Sequence, residues 1–426
     1  QAPPALVHPP AAPVPPPAAA VPPPAAVVPP PGAVVPPPGA VVPPPGAVVP
    51  PPGAVVPPPS SRSRQNITIS HDRQINGAAD SPHQTLDISG EHNAVTVTGK
   101  TTLNGGLAGI TGTGNVLSVT LHGNSEIHDN HSRAAHLVGH HARVMLSGNT
   151  LITTQGTGID ITGSNAEVVH SGRREMLHDH AVGTRLTGDM ARYIEKGRLD
   201  LRTPWGHGVQ VIGNNAHIQT ERDSQIDVTH SATALSLSGD RGTVLVDGRM
   251  TLNHGATGLA LAGHHNQVEL SSGDIQVRGG NGVALKLRGN NNRIVQSGQI
   301  SLRPNELLPA RQLAEPLTAI WINGDNNNVS INNLALDGQL LRLGKPRWLA
   351  GHGQTFGITS RSNGLRIEGN ANLVNVNGPV FYRQVTRPLE GSQLAGLSET
   401  EEPLRTRPGL LVDVIGKSSV IFNNKI

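Results

Sequence analysis

The chain has no cysteine among its 426 residues, so neither a disulfide framework nor thiolate metal ligation can hold it together. Aromatic residues are nearly as scarce, with three Phe, two Tyr and three Trp. That supply starves an ordinary globular core but suits a narrow one lined by aliphatic side chains. No apolar run reaches the roughly eighteen residues that a membrane-spanning helix requires. Charge is balanced, 33 basic against 30 acidic residues with no basic stripe, so a nucleic-acid partner is not expected. No Walker, Rossmann, GxSxG or HExxH motif occurs. No amino-terminal signal precedes Gln1, and a processed chain is expected.

What the chain does have is a repeated glycine. It recurs at positions 90, 114, 139, 163, 188, 213, 239, 263 and 289, always 24 to 26 residues from the last. Five residues after it stand Val95, Val119, Val144, Val168, Tyr193, Ile218, Val244, Val268 and Ile294, and the phase continues at Val329 and Val374. Two residues before it stand Ile88, Leu137, Ile161, Leu186, Val211, Leu237, Leu261, Leu287, Ile322 and Ile367, often with a second apolar residue two positions earlier, as at Leu235 or Leu259. Gly112 breaks this series in the second repeat. Alternation with period two marks short strands with one face inward, and a glycine between them permits a tight turn with a left-handed φ.

A repeat of about 25 residues is one coil of a parallel β-solenoid. Each coil has too few inward side chains to bury a core alone, so the coils must stack, Val168 on Val144 and Tyr193 on Val168. Twelve or thirteen coils from residue 64 onward, each rising about 4.8 Å, would make a rod roughly 60 Å long. Mixed β-sandwich repeats are the alternative, and they would favour hairpin turns and more aromatics.

Residues 1–63 are a different material. The first sixty carry 26 of the 36 prolines, with VVPPPGA repeating every seven residues. Such a tract is expected to form an extended polyproline spacer rather than helix or sheet. The repeat lacks the flanking basic residues that would orient a proline-binding partner. Two domains result: the spacer at 1–63 and the β-helix at 64–426, with loop insertions after 289.

Beyond Gly289 the gaps between turn glycines lengthen, and the extra sequence falls in 302–316, 340–353 and 385–409. These segments either simply link coils or leave the rod as binding loops. If they bind, the candidate residues are Arg342, Lys345, Arg347 and Trp348. The last coil, with Val420 four residues after Gly416, ends without a polar cap, so more protein is expected to follow.

Histidines suggest a metal, since His136, His140 and His141 lie close and His264 and His265 repeat the post-glycine position. The two groups stand five coils apart and cannot share an ion, and the expectation is polar turn residues, with no metal and no cofactor. Asn165, Asn214, Asn215, Asn266, Asn290 to Asn292, Asn326 to Asn328, Asn370 and Asn372 all follow the turn glycine within four positions. Asparagine tolerates a left-handed backbone and its amide can bond the next turn, so a ladder along one edge is expected. Catalysis is not expected. Some β-helices cleave acidic polysaccharides with clustered aspartates, but Asp200, Asp227, Asp247 and Asp274 sit at unequal offsets from their glycines and are read as not stacking.

The glycine-turn coils, the absence of cysteine, the Val-Pro repeat and segments such as SLRPNELLPARQ and SGDIQVRGGNGVALKL together resemble the pertactin-like passenger domains of autotransporters from Gram-negative bacteria. The resemblance covers roughly 64–426. It implies an all-β, right-handed parallel β-helix at the bacterial surface, associated with the outer membrane or released. It implies export through a carboxy-terminal translocator barrel that is not in this chain, and a role as adhesin or immune-evasion factor whose partner is a host cell-surface, matrix or serum protein. A polysaccharide lyase or hydrolase is the alternative. Two features depart from the pattern: the proline tract precedes the rod, and Arg-Gly-Asp is absent, so integrin-type binding is not implied.

Overall fold

A computed structural model describes residues 64–76, 85–105, 108–303 except 272 and 280, 317–337, 341–342, 358–360, 362–377, 380–383, 409–410 and 412–423. The proline spacer at 1–63 lies outside the described residues. The described part is a parallel β-solenoid in which every coil supplies one strand to each of three sheets. Sheet C takes the strand before the turn glycine, sheet A the strand after it, and sheet B the third, as in Thr157–Thr162, Glu167–His170 and Arg173–Met176. Sheet A has thirteen strands and sheets B and C twelve each, with neighbours one coil apart and parallel throughout.

The register is the one the sequence predicts. In sheet A, Val144 pairs with Val168, Val168 with Tyr193 and Tyr193 with Ile218, all fully buried. In sheet C, Leu137, Ile161, Leu186 and Val211 form the facing ladder. The phase holds across the long gaps, with Val329 on Val374 and Val374 on Val420. Sheet B adds a third ladder that the two-strand reading of the repeat did not separate: Ile127, Ile152, Met176, Leu201, Val228 and Leu252 are stacked and buried. Leu302, read as the start of an insertion, continues this ladder inside the strand Ile300–Arg303.

The turn glycines are required twice over. At Gly163 φ is +145°, and an added Cβ would stand 1.9 Å from the carbonyl oxygen of Gly139 in the coil below. Coils therefore touch backbone to backbone at this edge. The break at Gly112 is compensated locally: a Cβ there would meet Ile88 and Leu117, and the buried Leu117 fills the space that the missing side chain leaves.

Asparagine plays three roles around that turn. Asn165, Asn215, Asn291 and Asn326 adopt positive φ two residues past the glycine. One residue past it, an exposed ladder runs coil to coil, each side chain accepting from the next backbone N–H, as in Asp240 N–H to Asn214 and Asp325 N–H to Asn290. Histidine joins this ladder, since Nδ1 of His140 accepts from Ser164 N–H and Nδ1 of His264 from Asn290 N–H. Three residues past the glycine a buried amide ladder links Asn266, Asn292, Asn327 and Asn372 at 2.8 to 2.9 Å. Each of these four also donates to a turn-glycine carbonyl in the coil below.

All three long insertions leave and re-enter the stack at one edge, between a sheet B strand and the next sheet C strand. They follow Ile300–Arg303, Leu334–Asp337 and Val380–Arg383. Leu341–Arg342, Ile358–Ser360 and Gly409–Leu410, from the second and third insertions, pair as a small antiparallel sheet outside the ladders.

Candidate functional site

The loop residues singled out in the sequence stand mostly outside the described part of the chain. Lys345, Arg347 and Trp348 lie beyond it, and of Arg342 only the backbone is described, paired with Ile358.

Among the described residues, two groupings of charge stand out, both in the coils from about residue 124 to 228. The first is on the outer face of sheet B. Glu175 is the register partner of Asp200, and Asp200 of Asp227, so three carboxylates do stack on successive coils. This corrects the sequence reading: the turns around residues 196 and 221 differ in length, so offsets counted from the glycine hide a shared strand position. The column is clamped by arginines. Arg173 reaches Asp200 at 2.7 Å, Arg198 reaches Asp200 at 2.8 Å and Asp227 at 2.9 Å, and Arg202 lies 3.5 Å from Glu175. Asp200 is 1% exposed with both oxygens engaged. Its bond to Arg198 raises that guanidinium above its ordinary pKa. Asp247 and Asp274 stand outside this column, in turns.

Next to the column is a shallow depression of about 170 Å³ lined by Asn124, Glu126, Asn149, Thr150, Arg173 and Glu175, among others. It is smaller than the several hundred Å³ typical of a site that encloses a small molecule. Lys100, at 2.8 Å, holds Glu126 below the usual carboxylate range, with His128 adding to the effect.

The second grouping is inside the stack and has no counterpart in the sequence reading. In the last ladder of sheet A, Val97, Leu121 and Leu146 are followed by His170 and Glu195, then Thr220 and Val246. Both charged-type residues are completely buried. Nδ1–H of His170 donates to Glu195 at 2.7 Å, the Tyr193 hydroxyl donates to its other oxygen at 2.5 Å, and Gly197 N–H donates at 2.9 Å. Arg174, buried in the facing position of sheet B, donates to Thr184 and brings its charge to bear on the cluster. Burial alone would push Glu195 upward, yet His170, Tyr193 and Arg174 together hold it below the usual carboxylate range. Burial pushes His170 down despite Glu195 and drives Tyr193 well above 10, with the Glu195 charge adding to that rise. The cluster explains the lone aromatic in the valine ladder: Tyr193 is there to satisfy a buried carboxylate. A substrate cannot reach groups at zero exposure, so this is an internal joint and not an active centre.

Neither grouping leaves a free carboxylate pair around an open volume. The described fold defines the class, a parallel β-solenoid, and is consistent with the broad β-helix superfamily to which pertactin-like passengers belong. Beyond the class the comparisons are silent: no family model, no curated protein and no solved structure matches the chain.

Proposed function

We propose that the chain is a non-catalytic, right-handed β-helical passenger displayed at a Gram-negative cell surface, where it acts as an adhesin or immune-evasion factor. The observation that carries this reading is the segregation of all three long insertions to one edge of an otherwise regular stack, two of them joined by a small antiparallel sheet. A scaffold that keeps its insertions on one side has a face for partners. Its contacts on a host cell-surface, matrix or serum protein are assigned to the second and third insertions, with Arg342, Lys345, Arg347 and Trp348 as anchors of the kind that dominate interface energies. Export would use a separate translocator barrel.

The polysaccharide-cleaving alternative draws on one specific observation, the stacked Glu175, Asp200 and Asp227. General acid–base work needs a carboxyl group able to exchange a proton with substrate, and here arginines occupy the acids. The test uses bacteria that display or lack the chain, incubated with epithelial cells and with human serum, alongside a variant carrying Lys345→Ala, Arg347→Ala and Trp348→Ala. Adherence or serum survival that depends on the chain and drops in the variant supports the reading. Release of sugars from pectin or glycosaminoglycans that is abolished by Asp200→Asn would replace it with the enzymatic one.

A further inference from the structure

The buried joint of His170, Arg174, Tyr193 and Glu195 stands where the stack is most repetitive. From Gly90 to Gly188 the sheet B ladder residue, Leu103 through Leu201, stands 13 residues past its turn glycine in every coil, whereas Val228 and Val277 stand 15 and 14 past theirs. Coils of equal build can exchange neighbours: with one left out, valine would still meet valine and the turn glycines would still touch. The amide ladder farther along, Asn on Asn, has the same indifference to order. The joint is built differently, from exceptions that coincide. Tyr193 carries the only polar side-chain atom in the valine ladder from Val95 to Val374. Thr184 is the only polar side chain in its sheet C ladder between Ile110 and Leu285. His170 and Glu195 are the only ionisable residues in theirs from Val97 to Val376. Arg174 is the only charged residue in its own from Thr101 to Ile300. All five fall in two adjacent coils, 157–176 and 182–201, and the bonds from His170 to Glu195 and from Arg174 to Thr184 run between them.

We propose that this joint is a register key, which makes the coil 182–201 the only one that can be laid on the coil 157–176 as the chain folds. Leaving out the coil 182–201 would set His170 on Thr220 and Arg174 on Ile226, a buried cation with no carboxylate. Leaving out the coil 157–176 would set Glu195 on Leu146, with His170 and Arg174 both gone. Either error buries an uncompensated charge, whereas a wholly apolar ladder would accept both. Stability is not what the joint supplies. Nε2 of His170 and Nε and Nη2 of Arg174 are buried without a hydrogen-bond partner among the described residues, so an apolar ladder at these positions is no worse a core. Polar groups that select one pairing among equivalent apolar ones, at no gain in stability, serve the same end in coiled coils. The inference rests on these two coils alone and is independent of any role at a bacterial surface.

The experiment compares the full chain with a fourfold variant, His170→Leu, Arg174→Met, Tyr193→Phe and Glu195→Leu, each carrying one of two reporter pairs of cysteines. Val169→Cys with Gln219→Cys flank Ile194, and Arg143→Cys with Arg192→Cys flank Glu167, so each pair stands two coils apart on the outer face of sheet A. At about 9.6 Å between Cα atoms neither pair can bridge in the native order, and leaving out the coil between brings it to about 4.8 Å, within reach. Each protein is unfolded in urea under reducing conditions, refolded by dilution and only then oxidised mildly, and bridged monomer is counted by mass spectrometry. The expected result is a bridged fraction at least about tenfold higher in the fourfold variant than in the chain with its joint intact, at one reporter or both. Equal fractions in the two backgrounds, including none in either, would overturn the proposal. Failure of the fourfold variant to regain the circular dichroism of the wild-type chain would overturn it as well, since the joint would then hold the stack together rather than choose its order.

Discussion

Replacing Glu195 by Leu should destabilise the stack more than any neighbouring ladder substitution of similar size. The wild-type carboxylate accepts from His170, Tyr193 and Gly197, and it balances the buried charge of Arg174. Removing it orphans two buried side-chain donors and the half-buried Gly197 N–H, and leaves one cation uncompensated. Breaking a buried pair in this way costs about 3–5 kcal/mol, to which orphaned donors contribute about 1–3 kcal/mol each unless neighbours relax. A loss of roughly 4 kcal/mol or more is therefore expected. The informative comparison is the variant that removes the whole network: His170→Leu, Arg174→Met, Tyr193→Phe and Glu195→Leu. It continues the apolar ladder from Leu146 as far as the buried Thr220 at nearly constant volume, and should be neutral or up to about 4 kcal/mol more stable than wild type. Urea denaturation followed by circular dichroism measures both. If the single substitution costs under about 1 kcal/mol, or if the fourfold variant falls as far as the single one, the reasoning about a buried network centred on Glu195 is wrong.

The same cluster sets a pH dependence. His170 is held neutral by burial, so its contribution is complete above its ordinary value of about 6.5 and is lost as pH falls through the lower folded-state value. Glu195 is held low, so its contribution is complete above about 4.3 and fades at still lower pH. Melting temperature should accordingly fall from below about pH 6.5, and in the fourfold variant this acid limb should flatten, as a melting series would reveal. Gly163→Ala should lower the melting temperature sharply, because its Cβ would sit 1.9 Å from Gly139 O at φ +145°; a cost under about 1 kcal/mol would mean the coils separate freely at that edge. Leu261→Asp, between Leu237 and Leu287 in sheet C, should cost several kcal/mol by burying an unpaired charge, and a near-neutral melt would contradict its place in the ladder.

The repeat was legible because a solenoid writes its core into one sequence period: Val168 over Val144 and Leu261 over Leu237 follow from spacing alone. Sheet B was harder to see because its strands are short and some follow turns of unequal length, so Val228 stands 15 residues past its turn glycine where Met176 and Leu201 stand 13. For the same reason Asp200 and Asp227, 12 and 14 residues past their glycines, looked unrelated. His170 and Glu195 were invisible as a pair, since a polar residue at a ladder position reads as an interruption until its partner one coil away is known.

The absence of cysteine makes the central claim, coil-on-coil stacking in this register, directly testable. Thr243 and Gln267 are exposed partners on adjacent coils, and Gln267 and Arg293 are partners on the next pair. Cysteines at 243 and 267 would have Cα atoms about 4.8 Å apart, within disulfide reach, whereas cysteines at 243 and 293 would be about twice that distance and beyond it. Mild oxidation of the two double variants, read by mass spectrometry of the monomer, should give an intramolecular disulfide in the first and free thiols in the second. Bridging of 243 to 293, or none of 243 to 267, would contradict the stack.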